Sequence, residues 1–310
     1  MWRFIGRRIV GLALVLAVAV LVTFAAIRAL PGDPVTVMLS DHSADLEMAA
    51  RLRAEYGLDR PLPAQFFGYI SDILQFRFGL SFRFVHMPVA TVLRDSLLVS
   101  PILALAALCV AAGLGVLAGV IAAVHRNRFA DTAIILVLVA GLSIPNFAVA
   151  TLLVYALSVQ AALLPVAGWG TFAQAILPVL VLAIPSAAYI ARLCRTFMLE
   201  VLQQDFVRTA RAKGLPERLV IWRHALRNVL VPLVTSASII LGGLLSNTVV
   251  VETIFNIPGL GRLAIESIFA RDYPVAMAVV LLFVLFYGGL NLLADVACAL
   301  IDPRLRRAMA

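Results

Sequence analysis

Five long runs without a charged residue or histidine constrain this chain more than any other feature of its sequence. They cover residues 9–27, 96–124, 132–191, 228–251 and 273–294, and are 19, 29, 60, 24 and 22 residues long. A helix needs about 20 apolar residues to cross the hydrocarbon core of a bilayer. With 63% hydrophobic and only 14% charged residues over 310 positions, the chain also exceeds what the surface of a water-soluble domain tolerates. We therefore expect an integral membrane protein.

The 60-residue run is long enough for two helices with a turn between them. Proline and glycine residues break the helix in the stretch 164–170, where Trp169 suits a position at the membrane surface. One span is therefore expected at about 132–160 and the next at about 173–191. The sequence predicts an all-α membrane protein with six transmembrane helices.

The distribution of basic residues predicts the orientation of these helices, because cytoplasmic flanks retain Lys and Arg. Three, two, eight and three basic residues lie in the segments 1–8, 125–131, 192–227 and 295–310. The segments expected on the opposite side are 31–95, with six Arg against eight acids, 161–172, with no charge, and 252–274, with two Arg against three acids. Both termini are thus predicted to be cytoplasmic.

A cleaved signal peptide is the alternative interpretation of the N-terminus, because Arg7 and Arg8 precede an apolar run. That run of 19 residues is longer than the roughly 7 to 15 residues typical of a signal peptide, and Arg28 precedes any small-residue cleavage site. We therefore expect 1–30 to hold a short tail and an uncleaved first helix.

The external segment 31–95 is predicted to be helical. Ser43 can cap a first helix that Gly57 ends. After a proline-containing turn, apolar residues recur at helical spacing and predict a second helix with a packing face. These residues are Phe66, Phe67, Ile70, Ile73 and Leu74.

The internal segment 192–227, called the basic segment below, has two helix signals. Asp205 can cap a short helix through Lys213, and Gly214 can end it in a left-handed conformation. Pro216 suits the start of a second short helix. With Arg208, Arg211 and Lys213 exposed, the pair would form a compact docking site for another protein. The alternative is that these charges only serve the inside-positive bias and contact anionic headgroups.

Several kinds of chemistry are excluded by the sequence. A phosphate-binding P-loop needs Gly-Lys followed by Ser or Thr, but the sole lysine, Lys213, lies between Ala212 and Gly214. The apolar runs lack the acids or histidines that ion-coupled carriers place near the midplane. HExxH and GxSxG are absent, and Cys109, Cys194 and Cys298 have no metal-binding spacing. We therefore predict no catalytic, metal-binding or cofactor-binding residues, and no nucleic-acid partner.

Weakly polar residues within the spans are candidates for the lining of a translocation pathway. They are Ser143, Asn146, Ser186, Thr235, Ser236, Ser238, Ser246, Asn247 and Thr248. Pro145, Pro178, Pro185 and Pro232 can kink their helices beside such a cavity. For each single residue the alternative is ordinary helix packing, as for Gly115 and Gly119 at GxxxG spacing.

The stretch Asp205–Leu215, followed by Arg223–Asn228, resembles the cytoplasmic EAA loop of binding-protein-dependent ABC importer permeases. It is most similar to the first permease subunit of the dipeptide, oligopeptide and nickel group, and the resemblance runs nearly end to end. Six further stretches agree with this group: Leu30–Pro34, Tyr56–Asp59, Phe78–Phe82, Glu252–Gly261, Arg271–Pro274 and Asp302–Arg304. The general pattern has Glu-Ala-Ala where this chain has Arg208–Ala210, a departure that the peptide and nickel group shares.

The resemblance implies a type I ABC importer permease fold, with the segment 96–310 as the permease core and 31–95 as a helical external segment between helices 1 and 2. Residues 192–227 would be the coupling loop between spans at about 96–124, 132–160, 173–191, 228–251 and 273–294. The residues that would contact an ATPase are Asp205, Phe206, Val207, Arg208, Thr209, Ala210, Arg211, Ala212, Lys213, Gly214 and Leu215.

The implied partners are a second permease subunit, two cytoplasmic ABC ATPases, an extracytoplasmic solute-binding protein and membrane lipid. ATP and Mg²⁺ would bind the ATPases, and this chain would hold no cofactor. The resemblance also implies the bacterial plasma (inner) membrane and transport by alternating access. It leaves the substrate open among peptides, nickel, glutathione and opines. The rival classes are a passive channel, which would lack an ATPase partner, and a membrane enzyme, which would need a catalytic constellation.

Overall fold

The computed structural model describes residues 2–29, 35, 46–55, 57–75, 77–84 and 87–301. Among these residues the chain is helical, and the one β-type pairing is an isolated bridge between Leu80 and Pro88. The helices are α1 (Trp2–Ala29), α2 (Leu46–Glu55), α3 (Leu62–Leu74), α4 (Val89–Arg94), α5 (Val99–Val124), α6 (Phe129–Ser143), α7 (Asn146–Leu153), α8 (Phe172–Val201), α9 (Asp205–Ala212), α10 (Glu217–Leu219), α11 (Leu226–Ile254), α12 (Leu260–Phe269) and α13 (Tyr273–Ile301). Two π-helical stretches, Val154–Gln160 and Val220–Ala225, continue α7 and α10.

Four stretches of the described residues are long and apolar enough to cross a membrane: Gly6–Ala26, Val89–Val124, Phe172–Val201 and Tyr273–Leu293. Two further stretches pass the same test only as bent pairs. They are Phe129–Ser143 with Asn146–Gln160, bent by 106°, and Glu217–Ser236 with Ile239–Ile254, bent by 50°. The described residues therefore include four candidate spans, or up to six if each bent pair is one span.

The third predicted span, 132–160, is a broken helix. The residue before a proline is disfavoured in the helical region, and Ile144 accordingly has φ −85° and ψ 124° before Pro145. Each half has 15 residues, which corresponds to about 22 Å of helix, less than the roughly 30 Å hydrocarbon core. Neither half can cross the membrane alone.

The helices extend beyond the apolar runs that predicted them. Helix α8, the fourth predicted span, was expected to end at residue 191 but continues to Val201. Helix α13, the sixth predicted span, was expected to end at residue 294 but continues to Ile301. A charged side chain at a helix end can reach the membrane surface, so it ends an apolar run without ending the helix. Two short helices that the runs did not indicate, α4 and α12, flank spans at their ends.

The loop 161–171 has the turn chemistry predicted from its glycines. Gly168 and Gly170 have φ of 110° and 127°, which side-chain-bearing residues rarely adopt. Thr171 then starts α8 with a capping box, in which its side chain accepts from the Gln174 N–H and the Gln174 side chain accepts from the Thr171 N–H. The break between the third and fourth predicted spans is confirmed.

The segment 31–95 contains the two helices predicted for it, α2 and α3. Gly57 follows α2 with φ 62°, as expected of a glycine that ends a helix. The predicted cap, Ser43, lies outside the described residues.

The chain divides into two compact units. Each unit consists of segments that are separate in the sequence but contact one another. One contains residues 1–5, 101–257 and 289–310, and the other contains 6–100 and 258–288. In the first, α8 packs against α6, α7 and α11. In the second, α4, α12 and α13 share a buried cluster that includes Val89, Leu93 and Leu260.

Two glycines set the distance between α5 and α8 in the first unit. A Cβ atom on Gly115 would lie 2.7 Å from the carbonyl oxygen of Ala187, and one on Gly119 would lie 2.6 Å from the carbonyl oxygen of Ala191. These positions leave no room for a methyl group. The GxxxG spacing is thus a close helix contact in this structure, of the kind that small residues permit in membranes.

Replacing Gly119 with alanine should therefore destabilise the protein, because the two helices would have to move apart. Overpacking of this kind costs about 1–3 kcal/mol. The matched control is Gly113→Ala on the same helix, where an added Cβ meets nothing within 4 Å. We expect the thermal unfolding temperature of detergent-solubilised protein to fall for Gly119→Ala and not for Gly113→Ala. Equal values for the two variants would contradict the close contact.

Candidate functional site

The helix α9 lies in the basic segment directly after the long helix α8. Its N-cap is Gln204 and Asp205 is its first helical residue, so the prediction that Asp205 caps the helix was wrong. Asp205 still places a negative charge in the first turn, where it favours the N-terminal end of the helix dipole. Val207 and Ala210, three residues apart on one face, are the buried residues of the helix.

The end of α9 is a Schellman motif. The Gly214 N–H donates to the Arg211 carbonyl at 2.9 Å, and the Leu215 N–H donates to the Ala210 carbonyl at 3.4 Å. Gly214 has φ 75°, which confirms the predicted left-handed stop. The motif fixes the direction in which the chain leaves α9.

The predicted second short helix is the beginning of a much longer one. Pro216 is the N-cap of α10, and helical structure then continues from Glu217 through the π-helical stretch Val220–Ala225 into α11. The described chain contains no glycine or proline between 217 and 231 that would end the helix. The basic segment is therefore one short helix, α9, held between the ends of two long helices.

The buried face of α9 belongs to a hydrophobic cluster formed by the ends of several helices. This cluster joins Val120 and Ala123 of α5, Cys194, Met198 and Val201 of α8, Val207 and Ala210 of α9, and Val220, Ile221, Ala225, Leu226, Val229 and Leu233 of the helix that follows. Leu215 packs against it from the Schellman motif. α9 is thus anchored to α5, α8 and α11 together.

The outer face of α9 is open and mostly cationic. Arg208 and Lys213 are exposed, and Phe206 keeps 37% of its surface accessible. Trp222, in the π-helical stretch, is 44% exposed. The outer face of α9 thus combines the exposed Phe206 with positive charge, a combination typical of protein interfaces.

One ion pair closes the turn behind α9. The Arg211 guanidinium donates from Nη2 to Glu217 Oε1 at 2.6 Å and from Nε to Oε2 at 3.1 Å. These hydrogen bonds raise the pKa of Arg211 above its ordinary value. The pair links α9 to α10 across Gly214, whereas the exposed pair Arg208–Asp205, at 3.6 Å, lies within α9 itself.

A buried ion pair that the sequence analysis did not identify joins α6 to α8. Arg195 donates from Nε and Nη2 to the two carboxylate oxygens of Asp131, at 2.7 and 2.8 Å, and Asp131 is 3% exposed. The Asn127 N–H donates to the same carboxylate at 3.0 Å. Both charged residues lie just outside the apolar runs. They were not considered because only polar residues within the predicted spans were taken as candidates. The pair fixes the start of α6 against the part of α8 that leads into α9.

A second buried carboxylate joins two stretches that resemble the permease group. Asp272, 1% exposed, accepts hydrogen bonds from the Ser81 hydroxyl and from the N–H groups of Phe82, at 3.0 Å, and Arg83, at 3.3 Å. The Ser81 hydroxyl also accepts from the Phe84 N–H at 2.9 Å. The carboxylate therefore holds the turn 81–84 against the start of α13. A third acid, Glu252, is fully buried in the last turn of α11.

The candidate pathway residues are distributed over four helices and differ in accessibility. Ser143 ends α6, Asn146 begins α7, Ser186 lies in α8, and the other six lie on α11. The side chain of Ser238 lies outside the described residues. Most of the hydroxyls donate to carbonyls of their own helix; they belong to Ser143, Thr235, Ser236, Ser246 and Thr248. Thr248 is fully buried.

Part of this set lies on one open face of α11. Thr235, Ile239, Gly243, Ser246 and Val250 are all exposed and recur at intervals of three or four residues. Asn247 is exposed beside them. The candidate residues Thr235 and Ser246 therefore share a face with Gly243 and the apolar residues Ile239 and Val250, and the other described residues of this chain leave that face exposed.

Two family descriptions match this sequence. "Binding-protein-dependent transport system inner membrane component" matches residues 115–307, and the corresponding N-terminal description matches residues 1–92. The first match covers more than half of the chain and contains α9 with the cluster beneath it.

Relatives of known function match along the whole chain. The glutathione transport system permease protein GsiC of Escherichia coli strain K12 is 39% identical over 306 residues, which are 99% of each chain. GsiC of Shigella flexneri serotype 5b and of Shigella boydii serotype 4 give the same identity and coverage.

A solved structure of the MetNI methionine ABC transporter, in inward-facing conformations, has the same fold. The match has a TM-score of 0.56 and 20% sequence identity, and covers 71% of this chain and 97% of the other. The all-α, type I permease fold expected from the sequence is thus confirmed.

The Asp131–Arg195 pair should contribute measurably to stability, because removing one partner leaves the other charge partly buried. We expect Asp131→Asn and Arg195→Gln each to lower the unfolding temperature, and the double variant to lose less than both together. The coupling energy should be about 1–3 kcal/mol. The matched control is Asp205→Asn with Arg208→Gln, an exposed pair for which the coupling should be close to zero. Additive losses at Asp131 and Arg195 would contradict the assignment.

Proposed function

Since the chain belongs to the family of inner membrane components of binding-protein-dependent transport systems, as a permease subunit of an ABC importer, we propose that α9 is the element through which an ATPase drives transport. The observation that carries this proposal is the construction of α9. Val207 and Ala210 anchor it, a Schellman motif sets its angle, and an aromatic and cationic face is left open. A short helix so anchored can pass a displacement of its outer face to the helices beneath it.

The proposed topology places both termini and the basic segment in the cytoplasm of a bacterial inner membrane, as the positive-inside rule predicts. The proposed partners are two cytoplasmic ABC ATPases, a second permease subunit and an extracytoplasmic solute-binding protein. ATP and Mg²⁺ would bind the ATPases and not this chain, whose sole lysine lies in no P-loop sequence.

The proposed mechanism is alternating access. Closure of the ATPases moves α9, and the cluster of Val207, Val201 and Leu226 transmits the movement to α8 and α11 together. Gly119 keeps α5 close to α8, and the Asp131–Arg195 pair holds the start of α6 to the same helix. These contacts favour movement of the helix ends as one body over bending at a single loop.

The translocation pathway is proposed to lie along the open face of α11, opposite the second permease. Thr235, Ser246 and Asn247 would present hydroxyl and amide groups there, and Gly243 would allow close approach of a substrate backbone. Thr248, which is fully buried, would support the helix from behind. Weakly polar groups of this kind suit a peptide-like solute that must bind and leave.

We propose glutathione or a short peptide as the substrate. This inference rests on the relatives, which are permeases of a glutathione transport system and match over 99% of the chain. A solute-binding protein would make the main selection among related substrates.

Partner identification tests the function directly. Tagged protein should be extracted from native membranes under mild conditions and the recovered chains identified by mass spectrometry. Recovery of P-loop ATPase chains and a second multi-span protein is expected. Recovery of this chain alone, even after gentle crosslinking, would contradict the importer assignment and favour the passive channel.

Phe206 should be an anchor for the ATPase, because exposed aromatic residues often dominate the binding energy of an interface. We expect Phe206→Ala to weaken recovery of the ATPase by roughly tenfold, equivalent to about 1.4 kcal/mol, with an unchanged unfolding temperature. The matched control is Phe269→Ala, an 86% exposed phenylalanine at the end of α12 on the predicted external side. ATPase recovery that is equal for the two variants would exclude Phe206 from the interface.

Gly214 offers a second test, because its role depends on backbone conformation and not on space. An added Cβ would meet nothing within 4 Å, so only the positive φ of 75° disfavours other residues. That conformation costs non-glycine residues about 1–2 kcal/mol, and Asn tolerates it best. We expect uptake of labelled glutathione or dipeptide to be lost in Gly214→Val and largely kept in Gly214→Asn, with equal amounts of both variants in the membrane. Normal uptake by Gly214→Val would contradict the proposed role of the turn.

A further inference from the structure

Two neighbouring cavities of opposite character lie in the unit that contains residues 6–100 and 258–288. One is apolar, has a volume of about 620 Å³ and lies among α1, α3 and α13. The other, called the polar cavity below, has a mixed lining that includes charged residues, has a volume of about 300 Å³ and lies at one end of the same three helices. Phe78 lines both cavities. Neither has a role in the transport mechanism described above.

The helices α1 and α13 run antiparallel along the apolar cavity. A Cβ on Gly288 would clash with the side chain of Leu12, so the helices touch there, and Phe24 lines the polar cavity together with Pro274 and Met277. Between these two levels the cavity is lined only by apolar residues, such as Ala17 of α1 and Leu281 of α13. The contact at Gly288 forms its floor, and the polar cavity lies at its upper end.

Measured along α1, the distance from the start of the apolar cavity to the polar cavity matches the thickness of one leaflet of a bilayer. Its lining on α1 starts at Ala13, and Phe24 is 11 residues further along the helix. At 1.5 Å per residue this separation is about 16 Å, whereas half of the hydrocarbon core is about 15 Å. Because the candidate span of α1 is Gly6–Ala26, Phe24 lies close to the end of that span and the polar cavity lies at the depth of lipid headgroups.

Helix α3 separates the two environments. Ile70, Ile73 and Leu74 line the apolar cavity, while Tyr69 and Asp72 line the polar one. A helix that has both kinds of face suits the boundary between hydrocarbon and headgroups.

The polar cavity contains groups of both charges. Arg60 and Arg77 can bind a phosphate, and Asp72 can bind an amine. The Tyr69 hydroxyl is buried, and no described residue forms a hydrogen bond with it. A buried hydroxyl without a partner is costly, so a ligand that supplies one would be favoured.

We propose that the two cavities together bind one phospholipid, with its acyl chains in the apolar cavity and its phosphate between Arg60 and Arg77. Asp72 favours an amine-bearing headgroup, so phosphatidylethanolamine fits better than phosphatidylglycerol. In the topology proposed above, the lipid belongs to the external leaflet.

The bound lipid would fix the external end of α1 through its contacts with α3. Phe24 and Phe66 already meet edge to face, with ring centroids 5.2 Å apart. The inference does not depend on how the ATPases bind, so its failure would leave the proposed function intact.

The first experiment uses photoreactive phosphatidylethanolamine that carries a diazirine in its acyl chain. The full-length chain, with any partners that copurify, is reconstituted with this lipid, irradiated and mapped by mass spectrometry. Labels are expected on α3 and on residues 13–21 of α1. Ala17→Trp, which fills the apolar cavity, should lower labelling of α3 at least fivefold. The matched control is Leu14→Trp, an exposed position on α1 that does not line the cavity.

The second experiment tests the headgroup by native mass spectrometry in lipid mixtures. The double variant Arg60→Ala and Arg77→Ala should retain at least fivefold less lipid, and Asp72→Asn should abolish the preference for phosphatidylethanolamine over phosphatidylglycerol. Arg51→Ala, at an exposed position on α2 outside both cavities, is the control. Lipid retention that is unchanged in the double variant, equal labelling of Ala17→Trp and Leu14→Trp, or crosslinks from α3 to a partner protein would overturn the proposal.

Discussion

The close contact of α5 with α8 at Gly115 and Gly119 is the constraint on which the packing beneath α9 depends. Lipid tails are as apolar as leucine side chains, so helices in a membrane gain little from apolar burial and associate through close packing. At these glycines the backbone of α5 lies against carbonyl oxygens of α8, at Ala187 and Ala191. The contact holds Val120 and Ala123 of α5 close to α8, where they form part of the cluster beneath α9.

Beyond this contact the helix ends are joined by two different kinds of interaction. Apolar packing connects Met198 and Val201 of α8 to Val207 of α9, which fixes the distance between them but is not directional. The Asp131–Arg195 pair is directional, since two hydrogen bonds from one guanidinium define its orientation. This interaction attaches the start of α6 to α8 in a defined register. The attachment holds even though Pro145 interrupts the backbone hydrogen bonds between α6 and α7.

The sequence predicted the helices well where one physical rule governs them, and less well where several compete. Apolar runs identify spans because a bilayer requires continuous apolar surface, and Gly214 is identified because few residues other than glycine adopt its φ. The ends of helices were misplaced because Arg192 and Glu252 interrupt an apolar run while continuing a helix. Pro145 was expected to kink a span, but the 106° bend also depends on the packing of α7 against α8 and α11, which one sequence does not reveal.

The pathway residues show why a polar residue within a span is a weak signal of function. The hydroxyls of Ser143, Thr235 and Ser246 donate to carbonyls of their own helices, a bond that any serine or threonine in a helix can form. A hydroxyl that donates to its own helix still has lone pairs that can accept a hydrogen bond. What distinguishes Thr235 and Ser246 from the buried Thr248 is the open face of α11 that they share with Gly243. In the pathway proposed for this chain the face, and not the residue type, is therefore the distinguishing property, and it emerges only once the helices are packed.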